Sequence, residues 1–215
     1  MFLPLQTVTS MNNNLPKEIL IATHNEGKFK EIQYLLNQLN IKAVSAKNLN
    51  LEEPEENSGT FAGNSLIKAK FYAKASNLFA LADDSGICIE DLDGIPGVDS
   101  APFAYDKKSG KRDFQKAFQK IQNLLNKKNI NPNSKPKAYF ICNLCLYNPK
   151  TDFSINFEGR IDGHLIFPPK GNKGFGYDPI FVKEGMEESF GEIVSKKKDK
   201  ISHRAEAFKK MISWL

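Results

Sequence analysis

Two adjacent carboxylates, Asp83 and Asp84, follow the apolar run Leu78–Ala82 and are followed in turn by Ser85 and Gly86. If they close a strand, they stand where open α/β sheets bind their ligands. Carboxylates so placed are costly unless something neutralises them. A hard divalent cation such as magnesium does so, and magnesium commonly bridges carboxylates to substrate phosphates. A plain Asp-Ser-Gly turn accounts for the same residues. Upstream lies an acidic stretch with Glu52, Glu53, Glu55 and Glu56. One of these could complete a metal site with Asp84, although a charge run is otherwise a solvated loop.

Three further segments carry chemistry. Thr23-His24-Asn25-Glu26-Gly27-Lys28 separates an apolar run from a helical pattern. Free N–H groups and the positive dipole end at a helix start bind anions, and Lys28 adds a charge. The segment is not a Walker A loop, and on position alone a turn capped by Asn25 is the simpler reading. Gly174-Phe175-Gly176-Tyr177-Asp178-Pro179 sets glycines beside aromatics. That pattern lets backbone approach a flat ligand while a ring stacks on it, or else it is a loop with buried anchors. Lys198, with Ser202-His203-Arg204, sits at the start of the last helical pattern. An arginine fork suits an oxo group or a phosphate, and a solvated helical turn is the bland alternative.

These residues need elements to hold them. Glu18–Thr23 reads as a buried strand, and Phe29, Ile32, Leu35, Leu36 and Leu39 as one face of a helix. Residues 41–46 read as the next strand. Thr60 is the expected N-cap of a helix through Asn77, weakened by Gly63. LFALADD and GICIE read as two extended pieces. A helix is expected over Ser109–Lys127. After a polar, proline-bearing link come three strands, Ala138–Asn148, Phe153–Gly159 and Gly163–Phe167, expected to be antiparallel, then the short strand IFV. Ile201, Ala205, Phe208, Ile212 and Leu215 form an apolar stripe on the last helix, leaving His203 and Arg204 off it. The whole predicts one mixed α/β unit over 16–215, its central sheet flanked by helices in two lobes around a cleft. Residues 1–15 are expected to be a loose tail.

Composition narrows the class. The 215 residues suffice for one sizeable core. No apolar run reaches the roughly 20 residues that span a bilayer. The start of the chain lacks the pattern of a secretory signal. A net charge of +5 suits a polyphosphate ligand or nucleic acid. No RNP1-like or helix-turn-helix pattern accompanies it, so neither nucleic acid nor membrane is an expected partner. Three cysteines without a secretion signal predict free thiols in a reducing cytoplasm. Cys142 and Cys145 have C-x-x-C spacing, but on a strand they point to opposite faces and cannot share a metal.

Taken in order, THNEGK, LADDSG, GIPGV, GFGYDPIF and ISHRAEAF closely resemble one family, the inosine triphosphate pyrophosphatase-like enzymes. The resemblance spans residues 19 to 213. It implies a long central sheet with a cleft between two lobes. It also implies cleavage of non-standard purine nucleoside triphosphates between the α and β phosphates, magnesium dependence, and a cytoplasmic homodimer. Carried over by position, Thr23, His24, Asn25, Glu26, Gly27, Lys28 and Lys198 would hold the phosphates. Asp84 would be the catalytic carboxylate and a metal ligand, with Glu55 as the second ligand. Ser85 would touch substrate, and Phe175, Gly176, Tyr177, Asp178, His203 and Arg204 would form the base pocket. Three positions depart from the family pattern: His24 and Gly63 replace a small residue and a glutamate, and Pro102 removes an arginine near the cleft.

Overall fold

The computed structural model describes residues 16–51 and 53–214. The expected tail 1–15, Glu52 and Leu215 lie outside them. β1 (Glu18–Ala22) is the second strand from one edge of a six-stranded sheet and leads into α1 (Glu26–Asn37). β2 (Lys42–Ser45) pairs parallel with β1 on one side and β3 (Ala80–Ile89) pairs parallel on the other. α2 (Phe61–Ser76) is the crossover between them, and its N-cap Thr60 accepts from Gly63 N at 3.1 Å. A short helix α3 (Ser100–Phe103) and a hairpin of β4 (Tyr105–Asp106) and β5 (Lys111–Arg112) precede α4 (Phe114–Lys127). β6 (Lys137–Asn148), β7 (Phe153–Leu165) and β8 (Phe181–Lys183) then extend the sheet antiparallel, giving the order β2-β1-β3-β6-β7-β8. α5 (Ser195–Ile201) and α6 (His203–Trp214) close the chain.

The mixed α/β class and the helices flanking one central sheet are as expected. The core divides around the sheet. α1 and α6 cover one face through Ile32, Leu36, Phe208 and Met211. α2 covers the other through Ala69, Tyr72 and Ala73. The far end of the strands packs with α4 and the aromatic loop around Phe118, Ile121, Phe181 and Phe190, forming the second lobe.

Several boundaries differ from the sequence reading, each for a physical reason. β3 runs unbroken through Asp83–Gly86, so the two carboxylates lie mid-strand and not at a strand end. Gly86 does not turn the chain; it admits a crossing loop, since a Cβ there would lie 2.2 Å from Gly97 O. β7 is one strand for the same reason, with Gly163 close under Val182. The helix expected from Ser109 starts at Phe114, because Asp113 caps it by accepting from Lys116 N at 3.1 Å. The last helix breaks at Ser202, whose extended backbone ends α5 and whose Oγ accepts from Ala205 N at 3.2 Å to start α6. The stripe shifts accordingly: Ala205, Ala207, Phe208 and Met211 are buried while Ile212 is 42% exposed. Cys142 and Cys145 do lie on opposite faces, both as buried free thiols.

The α6–β7 contact leaves no slack. A Cβ on Gly159 would lie 2.1 Å from His203 O and 2.3 Å from Ala207 N, and helix backbone cannot move aside as a side chain can. Gly159→Ala is therefore expected to lower stability by about 1–3 kcal/mol. Urea unfolding should show a lower midpoint at an unchanged slope. A wild-type midpoint would mean that the helix rides freely on the sheet.

Candidate active site

The cleft between the two lobes encloses about 360 Å³. Its walls come from the β1–α1 turn, α2, the middle of β3, the Val98–Pro102 segment, β5, the Phe175–Asp178 loop and the α5–α6 junction. Of the expected residues, Thr23, His24, Asn25, Lys28, Asp84, Ser85, Phe175, Gly176, Tyr177, Asp178, Lys198, His203 and Arg204 line it. Glu26 and Gly27 are in the first turn of α1 but do not line the cleft.

Asp83 and Asp84 do not act as a pair. Side chains alternate along a strand, so the two carboxylates leave β3 on opposite faces. Asp83 faces α1 and α6, fully buried. It accepts from Arg204 Nε at 2.7 Å, pairs with Lys28 Nζ at 2.6 Å, and accepts from Cys142 Sγ at 2.9 Å. It is neutralised by cations of the chain itself, not by a metal. Burial alone would raise its carboxyl, yet Arg204 and Lys28 hold it well below the usual range. Asp84 faces α2. There it contacts Lys68 Nζ at 3.2 Å and Asn64 Nδ2 at 3.3 Å. Burial, reinforced by the charges of Glu56 and Asp83, pushes its carboxyl up to about 6 against the attraction of Lys68 and Lys28. Lys68 itself is held up, because Asp84, Glu56 and Asp83 outweigh the burial that opposes its charge. The pair attracts, but only the lysine side of it overcomes desolvation.

Lys68 was not singled out from the sequence, where it reads as one more lysine on an amphipathic helix. It is buried, and it bridges Asp84 to Glu56 Oε2 at 2.8 Å. Spacing from Asn64 offers a signal: positions 64 and 68 share one face of α2. The acidic loop also arrives one residue out of the expected register. Glu56 reaches the Lys68–Asp84 centre, and Glu53 reaches the β1–α1 turn, where Oε1 accepts from His24 N at 3.1 Å. Glu55 is exposed and is not part of the lining. Gly63 lies where a Cβ would be 2.4 Å from Ser58 Oγ, so the missing side chain makes room for the loop. Ser58 in turn donates to Asn64 Oδ1 at 2.8 Å.

The β1–α1 turn is capped as expected. Asn25 Oδ1 accepts from Gly27 N at 2.9 Å and Lys28 N at 3.1 Å. His24 Nε2 lies 3.0 Å from Tyr72 Oη. The Phe175 ring covers Gly27, where a Cβ would meet it at 2.4 Å, and Lys198 Nζ sits 4.4 Å from the same ring centre. Asp178 Oδ2 accepts from Phe175 N at 2.8 Å and from Lys198 Nζ at 2.5 Å. His203 stacks on Phe140 at 4.8 Å between centres. Burial, together with Arg204 and Lys198, drives it well below its ordinary range, so it is neutral at physiological pH. Its Nδ1 is buried with no hydrogen-bond partner among the described residues.

Arg204 is not free to swing into the cleft. It is 1% exposed and bonds Asp83, Glu31 and, through Nη2 at 3.1 Å, Ser85 Oγ. Glu31 also holds Lys198 at 2.9 Å. Three of the five guanidinium N–H groups are used by these partners, which leaves two.

These residues fall inside a region with known relatives. Residues 19–214 match the profile of the Ham1 family. The chain belongs to the Ham1 family. The protein named dITP/XTP pyrophosphatase in Zymomonas mobilis is 44% identical over 198 residues, covering 92% of this chain and 91% of that protein. One of the same name in Ruegeria pomeroyi is 45% identical over 194 residues, covering 90% and 93%. Among solved structures, a HAM1 protein from Coxiella burnetii superimposes with a TM-score of 0.79 at 33% identity, covering 91% of this chain and 96% of that one. The expected family resemblance is borne out. Among the described residues of this Ham1 protein, no helix is long and apolar enough to cross a membrane.

The two aspartates should respond oppositely to neutralisation. Asp83→Asn strips the partner from buried Arg204 and Lys28 and is expected to cost about 3–5 kcal/mol. Asp84 is different. Its folded carboxyl is raised above the unfolded value, so its ionised form opposes folding at neutral pH, and stability falls as pH rises through that window. Asp84→Asn should then be neutral or stabilising at pH 7. Thermal melts of both variants decide, and equal losses would refute the division of the two carboxylates.

Proposed function

We propose that this Ham1 protein hydrolyses non-standard purine nucleoside triphosphates, namely inosine, deoxyinosine and xanthosine triphosphates, to the monophosphate and pyrophosphate. One observation carries the reading. A carboxylate–lysine centre (Asp84, Lys68, Glu56) and an aromatic pocket with an unpartnered buried imidazole nitrogen (Phe175, His203) share a single cleft. The relatives named dITP/XTP pyrophosphatase support it.

In this reading Lys28, Lys68 and the Thr23–Lys28 turn bind the phosphates. Glu53 already places a carboxylate oxygen on His24 N–H, which is how an anionic ligand would use that turn. Asp84 takes the proton of the water that attacks the α phosphorus, and the bond from that phosphorus to the bridging oxygen of the β phosphate breaks. A carboxyl raised to about 6 is ionised at neutral pH and still basic enough for the task. Ser85, tied to Asp83 at 2.8 Å and to Arg204, contacts the substrate from the same strand.

Magnesium fits the residues present. Asp84 and Glu56 offer hard oxygen donors, and a divalent cation would relieve both the burial of the Asp84 charge and its repulsion by Glu56. No group of three or more metal-holding side chains exists among the described residues. A magnesium ion would take these two carboxylates together with substrate oxygens and offset the phosphate charge. We assign Glu56 this role in preference to Glu55.

The base lies against Phe175, with Gly176 and Tyr177 shaping the loop and Asp178 fixing it. A 6-oxo purine presents an acceptor to the remaining Arg204 N–H groups and to the neutral His203, where adenine presents a donor. Leaving such buried donors unpaired costs about 1–3 kcal/mol each, which favours the oxo bases. A cytoplasmic homodimer belongs to the same proposal and rests on the family resemblance.

Pyrophosphate release from a panel of triphosphates, with and without magnesium, tests the reading. Inosine, deoxyinosine and xanthosine triphosphates should run well ahead of the four standard deoxynucleotides. Asp84→Asn should lower kcat at least about 100-fold in a protein that stays folded. Orthophosphate plus a diphosphate as products would sink the assignment.

A further inference from the structure

Five cationic side chains line the cleft: Lys28, Lys68, Arg112, Lys198 and Arg204. Four are already matched by carboxylates of the chain. Lys28 lies 2.6 Å from Asp83, Lys68 lies 2.8 Å from Glu56, Lys198 lies 2.5 Å from Asp178, and Arg204 lies 2.7 Å from Asp83. Arg112 is the exception. Its side chain is exposed and, among the described residues, has neither a carboxylate within ion-pair distance nor a hydrogen-bond partner.

The backbone beneath Arg112 is nonetheless well fixed. Arg112 pairs across the β4–β5 hairpin with Tyr105. The next residue, Asp113, caps α4 and donates its N–H to Ala104 O at 2.7 Å. Lys116 ties the hairpin to the helix through Asp106 at 2.8 Å and Asp113 at 3.7 Å. A guanidinium with no structural partner is thus held at the cleft on a fixed support. The cleft also carries five carboxylates, Glu53, Glu56, Asp84, Asp99 and Asp178, and Asp83, outside its lining, pairs with both Lys28 and Arg204. A polyanion approaching it finds one positive group whose charge is not already spoken for.

We propose that Arg112 is a substrate-binding residue whose guanidinium meets the phosphate chain of the nucleoside triphosphate. The proposal rests on the reading of the cleft as a triphosphate site. The paired cations then fix geometry, and Arg112 supplies long-range attraction and part of the binding energy.

Arg112→Gln in the full chain tests it, assayed by pyrophosphate release from inosine triphosphate. KM should rise roughly 3- to 10-fold, the range for one solvent-accessible charge-assisted contact, with kcat nearly unchanged. The dependence of kcat/KM on salt should become shallower. Arg112→Lys should recover most of the loss, and Lys111→Gln beside it should change neither quantity. Since Arg112 has no ion-pair or hydrogen-bond partner among the described residues, the melting temperature should stay at the wild-type value. Calorimetric binding of inosine triphosphate without magnesium reads the same contact without turnover, and Kd should weaken by a similar factor. A wild-type KM, Kd and salt dependence in Arg112→Gln would overturn the proposal, as would an equal effect of Lys111→Gln. A wild-type protein that binds the triphosphate but releases no pyrophosphate overturns the function instead and leaves the Kd comparison to decide on Arg112.

Discussion

A buried chain of alternating charge holds this molecule's cleft together. It runs from Lys28 to Asp83, Arg204, Glu31, Lys198 and Asp178. Three cations and three carboxylates from α1, β3, α5, α6 and the aromatic loop meet there, and each inner member touches two opposite charges. Removing any one leaves a desolvated charge behind, which is the expensive outcome, whereas the intact set need contribute little net stability. Its effect is positional. Arg204 and Lys198 sit on either side of a helix break, and Glu31 bonds both, so the α5–α6 junction is fixed to α1. Asp178 fixes the Phe175 loop to the same chain. The aromatic pocket and the β1–α1 turn are therefore held by one network and not by two independent loops.

The same network explains why the two adjacent aspartates do different work. The pleat of β3 sends Asp83 into the charge chain and Asp84 to the face covered by α2. Asp83 touches two cations, Lys28 and Arg204, and is depressed. Asp84 shares Lys68 with Glu56 and is raised. One residue step along a strand separates an anion held by the charge chain from one that burial raises.

Much of this was legible in the sequence. The Asn25 cap, the Thr60 cap, the strand–helix–strand start and the antiparallel β6–β7 pair follow from local patterns that tertiary contacts do not override. Most of the candidate site residues also fall in one cleft. What failed has a common cause. Gly86, Gly159 and Gly163 look like punctuation in a sequence, but each is a place where another backbone comes within reach, so strands continue where breaks were expected. Lys68 and Glu31 were hidden for a different reason. On a helix their types suggest solvent, and only the burial of α1 and α2 against the sheet turns them into partners for Asp84 and Arg204. In the acidic loop Glu56 contacts Lys68 while Glu55 is exposed, and Ser58 packs on Gly63, a contact that no spacing rule encodes.

Asp84 shows what such a site demands of its fold. A carboxylate left in water near its ordinary value is a weak base at neutral pH. One buried without any cation would be protonated and useless as a base. Asp84 lies between these limits because burial raises it while Lys68 and Lys28 pull it down. A second carboxylate, Glu56, draws the lysine away and adds its own repulsion, and the result settles near 6. Burial, set against a lysine that two carboxylates share, thus places Asp84 where it is, and its cost to stability is offset elsewhere, in the well-packed faces of α1, α2 and α6.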